Sequence, residues 1–122
     1  MKLLIAGSRK FERDLDELFD AGLVGLAIYS LGGVTVIAGG ARGVDTAAEE
    51  WAESTGIDFQ EYPADWDGLG RRAGYIRNCE MVEACDAAII VWDGKSKGTK
   101  HTIDLLVKAH KSYVLMVYPE AL

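Results

Sequence analysis

The sequence predicts a three-layer α/β protein: a five-stranded parallel sheet of order 3-2-1-4-5 with helices on both faces. Three observations carry that prediction. Short apolar runs alternate with segments of helical period along the chain. One run, "DAAIIVWDG", is continuously apolar, as a strand buried on both faces should be. Glycines crowd the junctions where a strand hands over to a helix.

The elements follow in order. "KLLIAG" is a first strand, short and apolar. From Phe11 to Tyr29, the residues Phe11, Leu15, Leu18, Phe19, Gly22 and Leu26 recur at helical spacing. "VTVIAGG" is a β-branched second strand. Val44, Ala47, Ala48, Trp51, Ala52 and Thr55 then trace one helix face, with Gly56 as the stop. "IDFQEYP" alternates and is closed by Pro63, which suits an edge position. "ADWDGLGRRAG" is irregular, and a helix runs from about Ala73 to Ala84. After "DAAIIVWDG" comes a helix with Thr99, Thr102, Ile103, Leu106, Val107 and His110 on one side. "SYVLMVYP" is the fifth strand. Right-handed crossovers place the switch point between strands 1 and 4. The 122 residues form one expected domain, 1–122, and 49% of them are hydrophobic.

Several function classes are disfavoured. A net charge of −6 argues against general nucleic-acid binding, which draws on many basic contacts to phosphates. No apolar run approaches a membrane span, and Leu3 to Ala6 is too short for a signal-peptide core. The cytoplasm is the expected location. Cys79 and Cys85 would point away from each other on a helix, as would His101 and His110. No structural metal and no cofactor are expected.

The loops are the informative part. In an open parallel sheet, ligands bind beyond the carboxyl ends of the strands, at the switch point. The loops at that edge hold Arg9, Lys10, Arg42, Arg71, Arg72, Arg77, Lys95, Lys97 and Lys100, nine of the 13 basic residues. That suggests a cationic pocket on an acidic protein, suited to a nucleotide phosphate. Gly39, Gly40, Gly43 and Gly98 would allow close phosphate approach at helix starts. The loop "GGARGVD" is not a dinucleotide fingerprint, and Gly98-Thr99-Lys100 is not a Walker loop.

Helix phase adds polar candidates. Asn78 shares a face with Met81, Val82 and Cys85, either as a satisfied buried group or facing ligand. Thr99 serves backbone packing or ligand contact. Trp66 either stacks on a base or plugs the core beneath a lid. Asp45 favours its helix dipole or meets a sugar hydroxyl or base edge, and Asp93 caps its loop or faces a ribose.

Taken together, "GSRKF", "GGARGVDTAAEEWA", "YPADWDGLGRRAGYIRN" and "WDGKSKGTKHTI" resemble the SLOG superfamily, in its small YAcAr (cpYpsA-related) branch. The resemblance runs in order from Gly7 to Ile103. It implies a Rossmann-like fold that binds nucleotides or nucleotide derivatives, in members that act as sensors or cleave N-glycosidic bonds, some of them phage-encoded. Within it Arg77 matches the family's arginine near the start of its helix, and the resemblance suggests a homo-oligomer; ligand contact is expected from Gly7, Ser8, Arg9, Arg42, Arg77, Asn78, Lys97, Gly98 and Thr99. Trp51, Tyr75 and Tyr113 are candidate interface aromatics. The related phosphoribohydrolases carry a glutamate where this chain has Thr102, and threonine cannot act as a carboxylate base. The primary expectation is therefore a nucleotide binder, as a sensor or sequestering protein. The alternative is a nucleotide N-glycoside hydrolase in which Asp45 or Asp93 replaces that glutamate. A DNA-binding module is the third reading.

Overall fold

The computed structural model describes residues 1–10, 33–40 and 42–117. The predicted helix from Phe11 to Tyr29 lies outside the described residues.

Five parallel strands form the sheet: β1 (Lys2–Gly7), β2 (Thr35–Ala38), β3 (Asp58–Glu61), β4 (Ala87–Trp92) and β5 (Ser112–Val117). Their order is β3-β2-β1-β4-β5, as the sequence predicts. β1 and β4 lie side by side, with Ile5 opposite Ile89 and Gly7 opposite Val91. Gly7 is required there: a Cβ would collide with the Val91 carbonyl and with a methyl of Val44. The strand-1 glycine thus closes the sheet at the switch point.

Three long helices cover the described sheet: α1 (Val44–Thr55), α3 (Ala73–Ala84) and α4 (Lys97–Lys108). A single-turn helix, α2 (Trp66–Leu69), and a 3₁₀ turn (Gly70–Arg72) precede α3. Alternation along the strands divides the core in two. Leu3, Ile5, Val36, Ala38, Ile89 and Val91 face α1, where Val44, Ala48, Trp51 and Ala52 meet them. Leu4, Ala6, Ile37, Ala88 and Ile90 face Met81, Val82, Cys85, Ile103 and Leu106 on the other side. Each fully buried aliphatic side chain contributes about 1.5–3 kcal/mol of burial free energy.

Helix ends follow local chemistry. α1 stops at Gly56, whose φ is 74°; its N–H reaches the Glu53 carbonyl, and the next amide, Ile57, reaches Ala52. α4 ends the same way, with His110 at φ 56°: His110 N–H donates to Val107 and Lys111 N–H to Leu106. His110 therefore lies past the helix, and Val107 is exposed, so neither joins the buried face that the sequence assigns them. The remaining members of that face, Thr99, Thr102, Ile103 and Leu106, are buried.

Two further expectations change. Trp51 is packed in the core against the sheet and is not available to an interface. The stretch read as irregular contains α2, because the Asp65 carboxylate accepts from the Gly68 N–H at 3.0 Å and starts the turn. No described helix is long and apolar enough to cross a membrane.

Candidate functional site

The carboxyl ends of β1 and β4 open into a cavity of about 650 Å³. Its walls come from the β1 loop, the first turns of α1 and α3, the β4 loop and the start of α4.

The β4 wall is held by Asp93. One carboxylate oxygen accepts from the Lys95 and Ser96 amides, both at 2.8 Å; the other accepts from the Ser96 hydroxyl at 2.9 Å. The Asp93 amide donates to Ser8 Oγ at 3.0 Å, and the Ser8 and Ser96 hydroxyl oxygens lie 3.1 Å apart, within hydrogen-bond distance. Trp92 Nε1 adds a bond to the Ser96 carbonyl at 3.1 Å. Burial is the largest influence on the Asp93 carboxyl and pushes it up. Hydrogen bonds from the Ser96 and Lys95 amides and from the Ser96 and Ser8 hydroxyls outweigh it, so the carboxyl is held below its ordinary value. Asp93 and Ser8 tie two loops together; Ser8 is buried and does not line the cavity.

α4 begins beyond this loop. At Gly98 a Cβ would meet nothing within 4 Å, so the backbone there is open to a ligand. Thr99 and Thr102 line the cavity from the same helix, and Thr102 Oγ1 donates back to the Gly98 carbonyl at 3.2 Å.

The floor is Arg77, only 8% exposed. Its Nη1 donates to the Gly39 carbonyl at 2.6 Å and its Nε to Asn78 Oδ1 at 3.1 Å. Asn78 Nδ2 lies 3.4 Å from His101 Nδ1, and His101 meets Tyr75 edge-on at 4.7 Å between ring centres. Burial, first, and the charge of Arg9 lower the basicity of Arg77, whereas Asp45 and Glu61 raise it. Arginine nonetheless stays charged at neutral pH. Asp45, buried in the first turn of α1, lines the same cavity.

The roof is Trp66, half exposed, with the Arg9 guanidinium 6.0 Å from its ring centre. Past Arg9, Trp66 and Arg77 lies a second chamber of about 350 Å³, lined also by Gly39, Gly40, Glu61, Pro63 and Ala64.

The main cavity thus gathers Gly7, Arg9, Asp45, Trp66, Arg77, Asn78, Asp93, Lys97, Gly98 and Thr99 from the sequence-derived set, and the side chamber takes Gly39 and Gly40. Ser8, Arg42 and Gly43 line neither. The glycines do not all serve the expected purpose. A Cβ at Gly39 would strike the Arg77 guanidinium, one at Gly40 the Glu61 carboxylate, and one at Gly43 the Ser8 and Arg9 backbone. Protein occupies those spaces, and Gly98 alone among the four faces open space. The sequence does not single out Ser96 or Glu61, and Tyr75, expected at an interface, lines the main cavity. For Glu61 a signal existed, since it ends β3 at the ligand-binding edge.

Comparison with known proteins agrees with the motifs. A family model for the YspA, cpYpsA-related SLOG family (YAcAr) matches residues 1–68. The Gene 61 protein of Mycobacterium phage D29 is 37% identical over 114 residues, covering 88% of this chain and 90% of that protein. Among solved structures, the C-terminal domain of a hydrogenase from Pyrococcus furiosus covers 93% of this chain and 89% of its own, at 13% identity and a TM-score of 0.46. With a family match over residues 1–68 and a relative aligned along most of its length, the chain belongs to the YspA, cpYpsA-related SLOG family.

Proposed function

We propose that the protein binds a nucleotide or nucleotide-derived anion in the main cavity, as a sensor or sequestering protein. The observation that carries this reading is Arg77: a buried guanidinium fixed by Gly39 and Asn78 in a cavity whose walls also carry Arg9, Lys10, Lys95 and Lys97. Five cations against the carboxylates of Asp45 and Asp93 give that cavity a positive balance on a chain of net charge −6. A pre-oriented guanidinium loses little freedom on gripping phosphate. The open backbone at Gly98, in the first turn of α4, adds amide donors at the positive end of a helix dipole. The volume lies within the roughly 300–1,000 Å³ usual for small-molecule sites.

Calorimetry with mononucleotides, cyclic dinucleotides and ADP-ribose compounds tests the reading. Binding is expected to weaken about 10- to 100-fold in Arg77→Ala, on the scale of a hydrogen bond to a charged group. Arg42→Ala, outside both chambers, should leave affinity within about twofold. Absence of sub-millimolar binding across the panel refutes the proposal.

Nucleotide N-glycoside hydrolysis is the second reading, favoured by the placement of Asp45 in the cavity wall with Arg77. Asp93 suits it less, because its carboxylate is committed to the β4 loop and its basicity is depressed. Chromatography would reveal free base released by the purified protein and lost in Asp45→Asn. No release from any nucleotide in the panel removes this reading.

A further inference from the structure

We infer that the smaller chamber is a base subsite that selects, through Glu61, a ring presenting two adjacent N–H donors, as guanine does. This inference rests on the phosphate-binding reading of the main cavity.

Glu61 is the last residue of β3, paired in register with Ala38 at the end of β2. Its carboxylate occupies the space beside Gly40 that a Cβ would fill, and Gly40 has a φ of 78°. Residue 40 must therefore be glycine for Glu61 to lie where it does. Gly39 does the same for Arg77. The two neighbouring glycines seat two opposite charges.

That pairing distinguishes the chambers. An ionised carboxylate only accepts hydrogen bonds and repels phosphate. The main cavity sets five cations against Asp45 and Asp93, whereas the side chamber sets only Arg9 and Arg77 against Glu61, so the phosphate belongs in the more positive main cavity and a donor-bearing group beside Glu61. Besides the two glycines, the other walls of the side chamber are Pro63, Ala64, the Trp66 ring and the Arg9 and Arg77 guanidinium groups. Trp66 and Arg9 offer faces on which a planar ring can stack. Arg9, Trp66 and Arg77 border both chambers, so one nucleotide can span them.

The donor pattern then selects among bases. Guanine offers N1–H and the 2-amino group side by side, matching both carboxylate oxygens. Adenine sets an amino donor beside a ring acceptor, which faces a lone pair. Hypoxanthine keeps N1–H and lacks the 2-amino group.

Titration calorimetry of GMP, IMP and AMP on the full chain and on Glu61→Gln is the test. The native protein should bind GMP about 10-fold or more tighter than IMP or AMP, since an unpaired donor or acceptor in a site is costly. In Glu61→Gln, GMP should fall to the level of IMP. IMP and AMP should hold or tighten, because a negative charge near Arg77 is gone. Gly40→Ala, which displaces the carboxylate while keeping it, should reproduce the loss for GMP. Equal binding of all three by the native protein, or an unchanged GMP-to-IMP ratio in Glu61→Gln, overturns the base subsite and leaves the phosphate reading standing. No binding of any nucleotide overturns both.

Discussion

The guanidinium of Arg77 fills the space that a side chain at residue 39 would need, and its Nη1 donates to the carbonyl of that same Gly39 at 2.6 Å. A glycine that reads as a phosphate turn is thus a socket for an arginine.

Gly39→Ala should therefore behave as an arginine mutation with the arginine still present. The added methyl displaces the guanidinium, and overpacking of this kind costs about 1–3 kcal/mol. Ligand affinity should drop toward that of Arg77→Ala. In a double-mutant cycle by chemical denaturation, the pair should fall short of additivity by about 1 kcal/mol or more. Additive losses would disconnect the two residues.

Asp93→Asn should destabilise the fold by roughly 1–3 kcal/mol at neutral pH, since it replaces an anion that accepts several hydrogen bonds. The folded carboxyl is held below its ordinary 3.8, so the unfolded chain binds the proton more readily. Its stabilisation is full above that value and is lost as pH falls through the lower, folded one. Urea denaturation from pH 7 to pH 3 should show a steeper acid decline in the native protein than in Asp93→Asn.

His101 should titrate below its ordinary 6.5, because burial lowers it and Asp104 only partly compensates. The sign is the same: stabilisation is complete above 6.5 and is lost as pH falls through the depressed value. Proton NMR of the imidazole should give a midpoint under 6.5, and His101→Gln should flatten the fall in melting temperature between pH 7 and 5. A midpoint at or above 6.5 would contradict the half-buried environment against Tyr75 and Asn78.

Lys111 closes the far end of α3. Its Nζ donates to the carbonyls of Val82 at 2.7 Å, Glu83 at 2.8 Å and Cys85 at 2.6 Å. These are carbonyls that a helix end leaves without partners, at its negative pole. Lys111→Met should lower stability by about 1–2 kcal/mol in thermal unfolding, and nucleotide affinity, measured on the distant cavity, should not move.

The sheet was legible because its signals are local. Continuous apolar runs mark β1 and β4, and alternation marks β3 at the edge. Asn78 was legible too, because helical phase puts it on the buried side of α3, and Arg77 because it stands among the cations at the ligand-binding edge. Legibility ended where a role depends on what another strand brings. Ser8 reads as a ligand group until Asp93 and Ser96 arrive from 85 and 88 residues away to use its hydroxyl. Arg42 reads as one of the pocket cations, yet it lines neither chamber. Glu61 gains its role only from Gly40, whose missing side chain leaves room for the carboxylate.

The Gly39–Gly40 pair also makes a statement about ancestry. If each glycine exists to admit one charged side chain, the four positions cannot drift independently. Among relatives, a residue other than arginine at position 77 should release position 39 to carry a side chain. Loss of the acid at position 61 should release position 40 only as far as its backbone angle allows. An alignment of the family would then show two linked columns pairs, 39 with 77 and 40 with 61, inherited or lost together.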